Sequence, residues 1–207
     1  DKKEIDKLAK GLINFPHVAI LSDEIYDRLI FEKKEIPTFF NYPNLYDRLI
    51  VLNGWSKTYA MTGWRLGWGV WPKKLTEHVF KFCVNNHSCV NMPAQYGAIA
   101  ALDAPENHLK EMMEEFSIRR KIIVDGLSSL KGIKCTLPGG TFFVFPNVKD
   151  TGMNDEEFAK RCLEEAGVAV IPGTAFGKFA KNNVRLNFAT SKDNISKAIE
   201  KIDKILK

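Results

Sequence analysis

The sequence predicts an α/β chain, with an incomplete, mostly parallel sheet in its first half and a compact α+β unit in its second. Two apolar runs carry the first expectation. Val18-Ala19-Ile20-Leu21 and Leu49-Ile50-Val51-Leu52 are short and unbroken, and each gives way at once to polar residues, as central strands covered on both faces do. The second expectation rests on a long helical pattern followed by brief strand patterns, punctuated by glycine and proline. With 207 residues, 45% of them hydrophobic, the chain has material for one large domain or two small ones.

In order, Ile5, Leu8, Ala9, Leu12 and Ile13 stand at helical spacing, so the sequence opens inside a helix. It lacks an initiating methionine and reads as part of something longer. Over residues 64–71 a strand is expected, with Trp64, Leu66, Trp68 and Val70 on one side and Arg65, Gly67, Gly69 and Trp71 on the other. The two glycines then leave space beside the Arg65 guanidinium, and the four tryptophans read as core and sheet packing. Residues 75–104 are mostly helical, with breaks expected at Asn85-Asn86-His87 and at Met92-Pro93. A long amphipathic helix over 108–130 suits a connector, which places a domain boundary near 105 and divides the chain into residues 1–105 and 106–207. Beyond it, Pro138-Gly139-Gly140 turns the chain into a strand over 141–145. Asn154 caps a helix that Gly167 ends, strands follow over 168–171 and 184–188, and a helix over 191–206 closes the unit.

The net charge of +5 arises from 30 basic and 25 acidic residues mixed along the chain, a solvated surface rather than a nucleic-acid face. Cys83, Cys89, Cys135 and Cys162 have no CxxC pairing and no histidines at metal-site spacing, so reduced, buried thiols and no metal are expected. No run is as long and apolar as a membrane span, and the opening Asp1-Lys2-Lys3-Glu4 leads into no signal peptide, which points to the cytoplasm.

The chemistry gathers at the ends of the two apolar runs. In open α/β sheets ligands collect beyond the carboxyl ends of the strands, and those ends carry Asp23-Glu24-Ile25-Tyr26 and Ser56-Lys57. In the stretch from Gly54 to Gly67, Lys57 precedes Arg65 by eight residues. A lysine amine can condense with an aldehyde, and an arginine fork can grip a phosphate. Taken singly, such an aspartate is usually a cap or turn residue, such a tyrosine usually half-buried packing, such a lysine nearly always a surface group, and an arginine like Arg185 often one half of an ion pair. The ordered set is what carries the reading.

Together with Pro138-Gly139-Gly140-Thr141-Phe142-Phe143, with the stretch from Val168 to Gly177, and with Asn183-Val184-Arg185-Leu186-Asn187-Phe188, these segments resemble the class I and II aminotransferases. These are fold type I pyridoxal-phosphate (PLP) enzymes of the aspartate and aromatic aminotransferase kind. The resemblance covers the whole chain and matches the C-terminal part of such an enzyme. It implies residues 1–105 as part of the PLP-binding large domain and 106–207 as the small domain. Lys57 would be the Schiff-base lysine and the base of the proton shift, Asp23 would pair with the pyridine nitrogen, and Tyr26 would bond the ring's phenolic oxygen. Arg65, with Ser56 beside it, would bind the phosphate, and Arg185 the substrate α-carboxylate. The substrates implied are an amino acid and a 2-oxo acid, in a homodimer when full length, with no nucleic-acid or membrane partner.

The sequence departs from the family in two ways. Gly54 stands where many relatives have a hydroxyl residue on the phosphate, and Trp55 is bulkier than its usual counterpart. The family's N-terminal half, with its glycine-rich turn, ring-stacking aromatic and Asn-Pro segment, has no counterpart in these residues, so an exposed sheet edge, an exposed apolar face and little activity alone are expected. Alternatives of other kinds are a PLP-dependent β-lyase or decarboxylase, and a non-catalytic regulatory or dimerisation module of the same fold.

Overall fold

The computed structural model describes residues 2–32 and 36–207, and Asp1 of the opening stretch lies outside them. The chain divides into two compact units, Asp1–Leu109 and Lys110–Lys207.

In the first unit, α1 (Lys2–Ile13) seats Ala9 against Ile20, Leu45, Leu49 and Val51, with Ile5 and Leu12 packed on the same cluster. At its C-terminal end and in the turns that follow, the Arg48 guanidinium donates to the Leu12, Phe15 and Val18 oxygens at 2.6, 2.9 and 2.6 Å. Strands β1 (Ile20–Asp23) and β2 (Leu49–Gly54) pair in parallel, Ile20 opposite Leu49 and Asp23 opposite Leu52. Then β3 (Gly67–Val70) adds to β2 antiparallel, giving the order β1-β2-β3. Two helices follow, α2 (Lys73–His87) and α3 (Met92–Asp103).

The parallel pairing is as the apolar runs predicted, but coverage on both faces is not. Val51 is fully buried, whereas Leu21, Trp68 and Val70 are exposed. The sheet has three strands and presents the expected apolar face to solvent. The expected strand over 64–71 is also shorter. Thr62–Trp64 forms a 3-10 turn, and Arg65 ends it in the left-handed region at φ 57°, so the alternation begins only at Gly67. Gly69 makes room for the Trp71 indole, 2.7 Å from where a Cβ would stand, and not for Arg65. Trp64 and Trp68 are exposed rather than core, although the Trp64 ring approaches α3 to within 2.5 Å of where a Cβ on Gly97 would stand.

Asn85-Asn86-His87 continue α2, and the break falls at Ser88, which caps the helix at φ 61°. Met92-Pro93 opens α3 instead of breaking it, because a proline in the first turn lacks only an N–H that has no helical acceptor there, and the Asn91 side chain caps the Ala94 amide at 3.0 Å.

The helix α4 (Asn107–Ser129) contains the division between the units. In the second unit, β4 (Phe143–Val144), β5 (Ile171–Pro172) and β6 (Val184–Asn187) form an antiparallel sheet of order β4-β6-β5. The first two are shorter than expected: Thr141 sits at φ 64°, outside strand geometry, and β5 starts only at Ile171. Helix α5 (Asp155–Glu164) is capped by Asn154, which accepts from the Glu157 amide at 2.9 Å, and Gly167 at φ 63° turns the chain away after it. Helix α6 (Lys192–Ile205) is capped by Ser191 and buries Ile195, Ile202 and Ile205. Val148, Phe158, Val184 and Phe188 are at most 1% exposed and form the centre of this unit.

All four cysteines are free, but only Cys162 is buried, its thiol pushed up to about 12 by burial, while Cys89 is exposed. No helix among the described residues is long and apolar enough to cross a membrane.

Candidate functional site

The carboxyl ends of β1 and β2 lie side by side because the strands are parallel and in register, so whatever follows each strand arrives at the same rim. Asp23 ends β1 with an exposed carboxylate, one oxygen of which accepts the Ile25 amide at 3.2 Å. The chain then turns, with the Asp27 amide donating to Glu24 and the Leu29 amide to Tyr26, and Leu29 buries itself almost completely. That turn brings the Tyr26 ring beneath the side chain from the neighbouring strand end: the Lys57 ammonium lies 5.8 Å from the ring centroid. Three of the sequence-predicted residues, Asp23, Tyr26 and Lys57, are thereby gathered at one edge of the sheet.

The loop carrying Lys57 is fixed by its own backbone. The Tyr59 and Met61 amides both donate to the Trp55 oxygen, and the Trp55 amide donates to the Leu66 oxygen, which closes Ser56 and Lys57 into a knot at the end of β2. Below it, Thr58 is 2% exposed, and Met61, Leu66, Ala94 and Ala98 form a small core with Trp55 and Tyr59. Trp55 also donates its indole N–H to the Ala98 oxygen of α3 at 3.2 Å. Its bulk therefore ties the lysine loop to a helix.

Gly54 has a reason of its own. A Cβ there would stand 2.7 Å from the Leu66 oxygen and 2.9 Å from the Gly67 Cα, so the close pairing of Gly54 with Gly67 between β2 and β3 leaves no room for a side chain. The hydroxyl that the resemblance leads one to expect at this point has no space here. Arg65 is exposed, its Nη1 donating to the Thr62 oxygen at 3.0 Å. Its left-handed backbone costs about 1–2 kcal/mol in a residue with a Cβ, a strain of the kind found where function dictates position.

Several residues that hold this rim were not singled out in the sequence. Asn53 donates from Nδ2 to Asp27 at 2.9 Å and accepts the Gly54 amide at 2.7 Å, so it links the two strand ends. Glu24 accepts from the Ser22 hydroxyl, the Thr38 hydroxyl and the Phe39 amide, which spends its charge on the loop between β1 and β2. The signal for Asn53 is its place, a polar side chain immediately before the glycine that ends a strand. For Glu24 no local signal exists, since Thr38 is fourteen residues away.

In the second unit, Arg185 lies on β6 opposite Ile171 of β5. Its guanidinium carbon is 4.5 Å from the centroids of both the Phe143 and the Phe176 ring, and no carboxylate among the described residues forms an ion pair with it. Among the described residues this arginine lies against aromatic rings rather than in an ordinary ion pair. No cluster of three or more potential metal ligands occurs among the described residues.

An α/β sheet that delivers an aspartate, a tyrosine and a lysine to one rim, with an arginine eight residues past the lysine, has the donor set of a site for an aldehyde cofactor with a phosphate. The model of the aminotransferase class I and II family matches residues 1–202, and the chain belongs to that family. It is 40% identical over 207 residues to an aspartate aminotransferase of Pyrococcus horikoshii, covering 99% of this chain and 52% of that protein. Among solved structures it is similar to an aromatic aminotransferase of P. horikoshii, with a TM-score of 0.93 and 34% identity over 100% of this chain and 55% of that one. The aspartate aminotransferase of Rhizobium meliloti gives a TM-score of 0.94 at 31% identity, covering 100% and 54%. The chain spans about half the length of the relatives it matches. The family is one of PLP-dependent enzymes, so the resemblance and the fold read from the motifs are borne out.

Proposed function

We propose that this chain supplies the lysine-bearing part of the active site of a PLP-dependent aminotransferase that moves an amino group between an amino acid and a 2-oxo acid, in a homodimeric assembly. The observation that carries the reading is the Lys57 ammonium over the Tyr26 ring at the shared rim of two parallel strands, with Asp23 ending one of them. The donor set fits the cofactor: Ser56 and Arg65 would hold the phosphate, Asp23 the ring nitrogen, Tyr26 the ring oxygen, and Lys57 the aldehyde carbon. Bound PLP supplies a carbonyl that amines add to and a cationic ring that stabilises negative charge at the substrate Cα.

The protein's part is positional and acid–base. Asp23 would keep a proton on the ring nitrogen, because an adjacent carboxylate favours the charged partner. Lys57 Nζ would take the proton from the substrate Cα, and its loop, knotted through Trp55, would keep that nitrogen at one place. Arg185 would pair with the substrate α-carboxylate through two parallel N–H donors. The names of the relatives favour aspartate or an aromatic amino acid as substrate.

On these 207 residues alone PLP binding is weak and turnover small, because Asp23 and Arg65 are exposed and the sheet face beside them is uncovered. The test is a PLP titration of the chain with Arg65→Ala and Asp23→Ala beside it, and product analysis with aspartate and 2-oxoglutarate in an assembly that completes the site. Weak saturable binding that both variants lose, with oxaloacetate and glutamate formed in equal amounts, is expected. Variants that bind as the parent does, or products of β-elimination or decarboxylation, would contradict the reading.

A further inference from the structure

The two rings against Arg185 are held in different ways. Phe143 is fixed by strand pairing, directly opposite Asn187 of β6. Phe176 has no strand: it ends the 3-10 turn Gly173–Phe176 and is half exposed. What holds that turn is Asp155, the first residue of α5 and 1% exposed. One carboxylate oxygen accepts both the amide and the hydroxyl of Thr174, each at 2.9 Å, and the other accepts the Asn182 amide at 3.0 Å. A single buried side chain thus pins the start and the end of the segment that carries Phe176. The closure is tight at its base, where the Gly173 amide donates to the Asn183 oxygen at 2.7 Å and a Cβ on Gly173 would stand 2.0 Å from the Ala180 oxygen.

We propose that Asp155 is a positioning residue for Arg185: by fixing the turn that carries Phe176 it sets the plane of the guanidinium, so that the fork of donors is presented to a carboxylate. The inference rests on the reading of Arg185 given above and extends it to a residue on another element. Aromatic faces suit the task. They hold a guanidinium by its face and leave the in-plane N–H groups for a ligand, whereas an acidic neighbour would occupy those donors and compete with the substrate.

The test follows the Arg185 Nε–H resonance in the 15N-arginine-labelled 207-residue chain, assigned with Arg185→Lys, during titration with pyruvate against sodium chloride of equal ionic strength. Phe176→Leu alters one exposed ring, Asp155→Asn keeps the size of the anchor, and Phe179→Leu is the control, an exposed ring of the same segment that lies against Lys178. In the parent chain the resonance is displaced by the ring currents and moves again with pyruvate. Asp155→Asn and Phe176→Leu both return it towards the free-arginine position and weaken pyruvate binding by roughly tenfold, the scale of one cation–π contact, while Phe179→Leu does neither. An Asp155→Asn chain whose Thr174 and Asn182 amides shift while Arg185 and its pyruvate titration stay as in the parent would overturn the proposal. A ring-displaced signal that both variants restore but pyruvate never moves would keep the link from Asp155 through Phe176 to Arg185 and overturn the carboxylate role. Should Asp155→Asn fail to fold, Thr174→Val, which removes the hydroxyl that donates to Asp155, is read in its place: a return of the Arg185 resonance towards the free-arginine position with weaker pyruvate binding is expected, and an unchanged Arg185 resonance and titration would overturn the proposal.

Discussion

The two units are built from similar apolar material and use it differently. In the second, Val148, Phe158, Cys162, Val184, Phe188 and Ile202 are all but sealed from solvent, and each helix turns one apolar stripe inwards. In the first, α2 has no buried residue, Phe80 and Phe82 are each 67% exposed, and Tyr96, Ile99 and Leu102 of α3 stand open. Apolar patterning therefore says that a face is built to be covered, and the first unit shows such a face without its cover. The chemistry follows the same division: the unit with the open face carries the lysine, and the unit with the closed core carries the arginine that lies against two aromatic rings.

The largest expected effect separates the units by core truncation. Phe158→Ala should cost about 3–5 kcal/mol in denaturant unfolding of the 110–207 unit, as for any large side chain removed from a packed core. Phe80→Ala on α2 should stay within about 0.5 kcal/mol and lower the binding of a hydrophobic dye. Equal costs would erase the comparison. Next is the buried anchor of the second unit: Asp155→Ala should cost about 2–3 kcal/mol, the price of a charged acceptor lost to three donors.

The same residue makes a prediction in pH. Burial works against its charge, but the Thr174 and Asn182 amides and the Thr174 hydroxyl outweigh burial and hold the carboxyl below its ordinary value of 3.8. A group lowered in the folded state contributes its full stability above the unfolded value and loses it as pH falls through the folded one. Acid titration of stability should therefore show a loss below pH 3.8 that Asp155→Asn lacks.

A smaller effect sharpens the account of the lysine rim. Gly54→Ser, which adds a hydroxyl at this point, should destabilise the first unit by about 1–3 kcal/mol, because its Cβ meets backbone on both sides. A neutral or stabilising outcome would show that β2 and β3 can move apart there. The smallest expected effect is on the surface: Glu165→Gln breaks the exposed pair with Arg161 and should leave the unfolding midpoint unchanged.

What could be read in the sequence was mostly what is local. The cap Asn154 is legible because a side chain and the amide three residues on are enough to define it, whereas Ser191, expected inside its helix, caps it instead. The parallel pair β1–β2 is legible because unbroken apolar runs mark it, and Lys57 and Asp23 follow from the ends of those runs. Arg65 was misplaced because a period of two, extended back over residues 64–66, cannot see that its backbone turns left-handed. Met92-Pro93 reads as a break in the helical pattern, whereas proline there stands in the first turn of a new helix. Among the acids at the β1 end, composition does not separate Asp23, which faces outwards, from Glu24, whose carboxylate is consumed by Thr38 and Phe39. Nor does any short motif link Asp155 to Thr174 across nineteen residues, since that contact exists only once the second unit has closed around it.

The most direct measurement is reductive trapping: PLP is added to the 207-residue chain, borohydride fixes any imine, and mass spectrometry maps the pyridoxyl group, with Lys57→Ala alongside. The account predicts an adduct confined to Lys57 and absent from the variant. Labelling scattered over surface lysines, or retained at the same yield in Lys57→Ala, would contradict it.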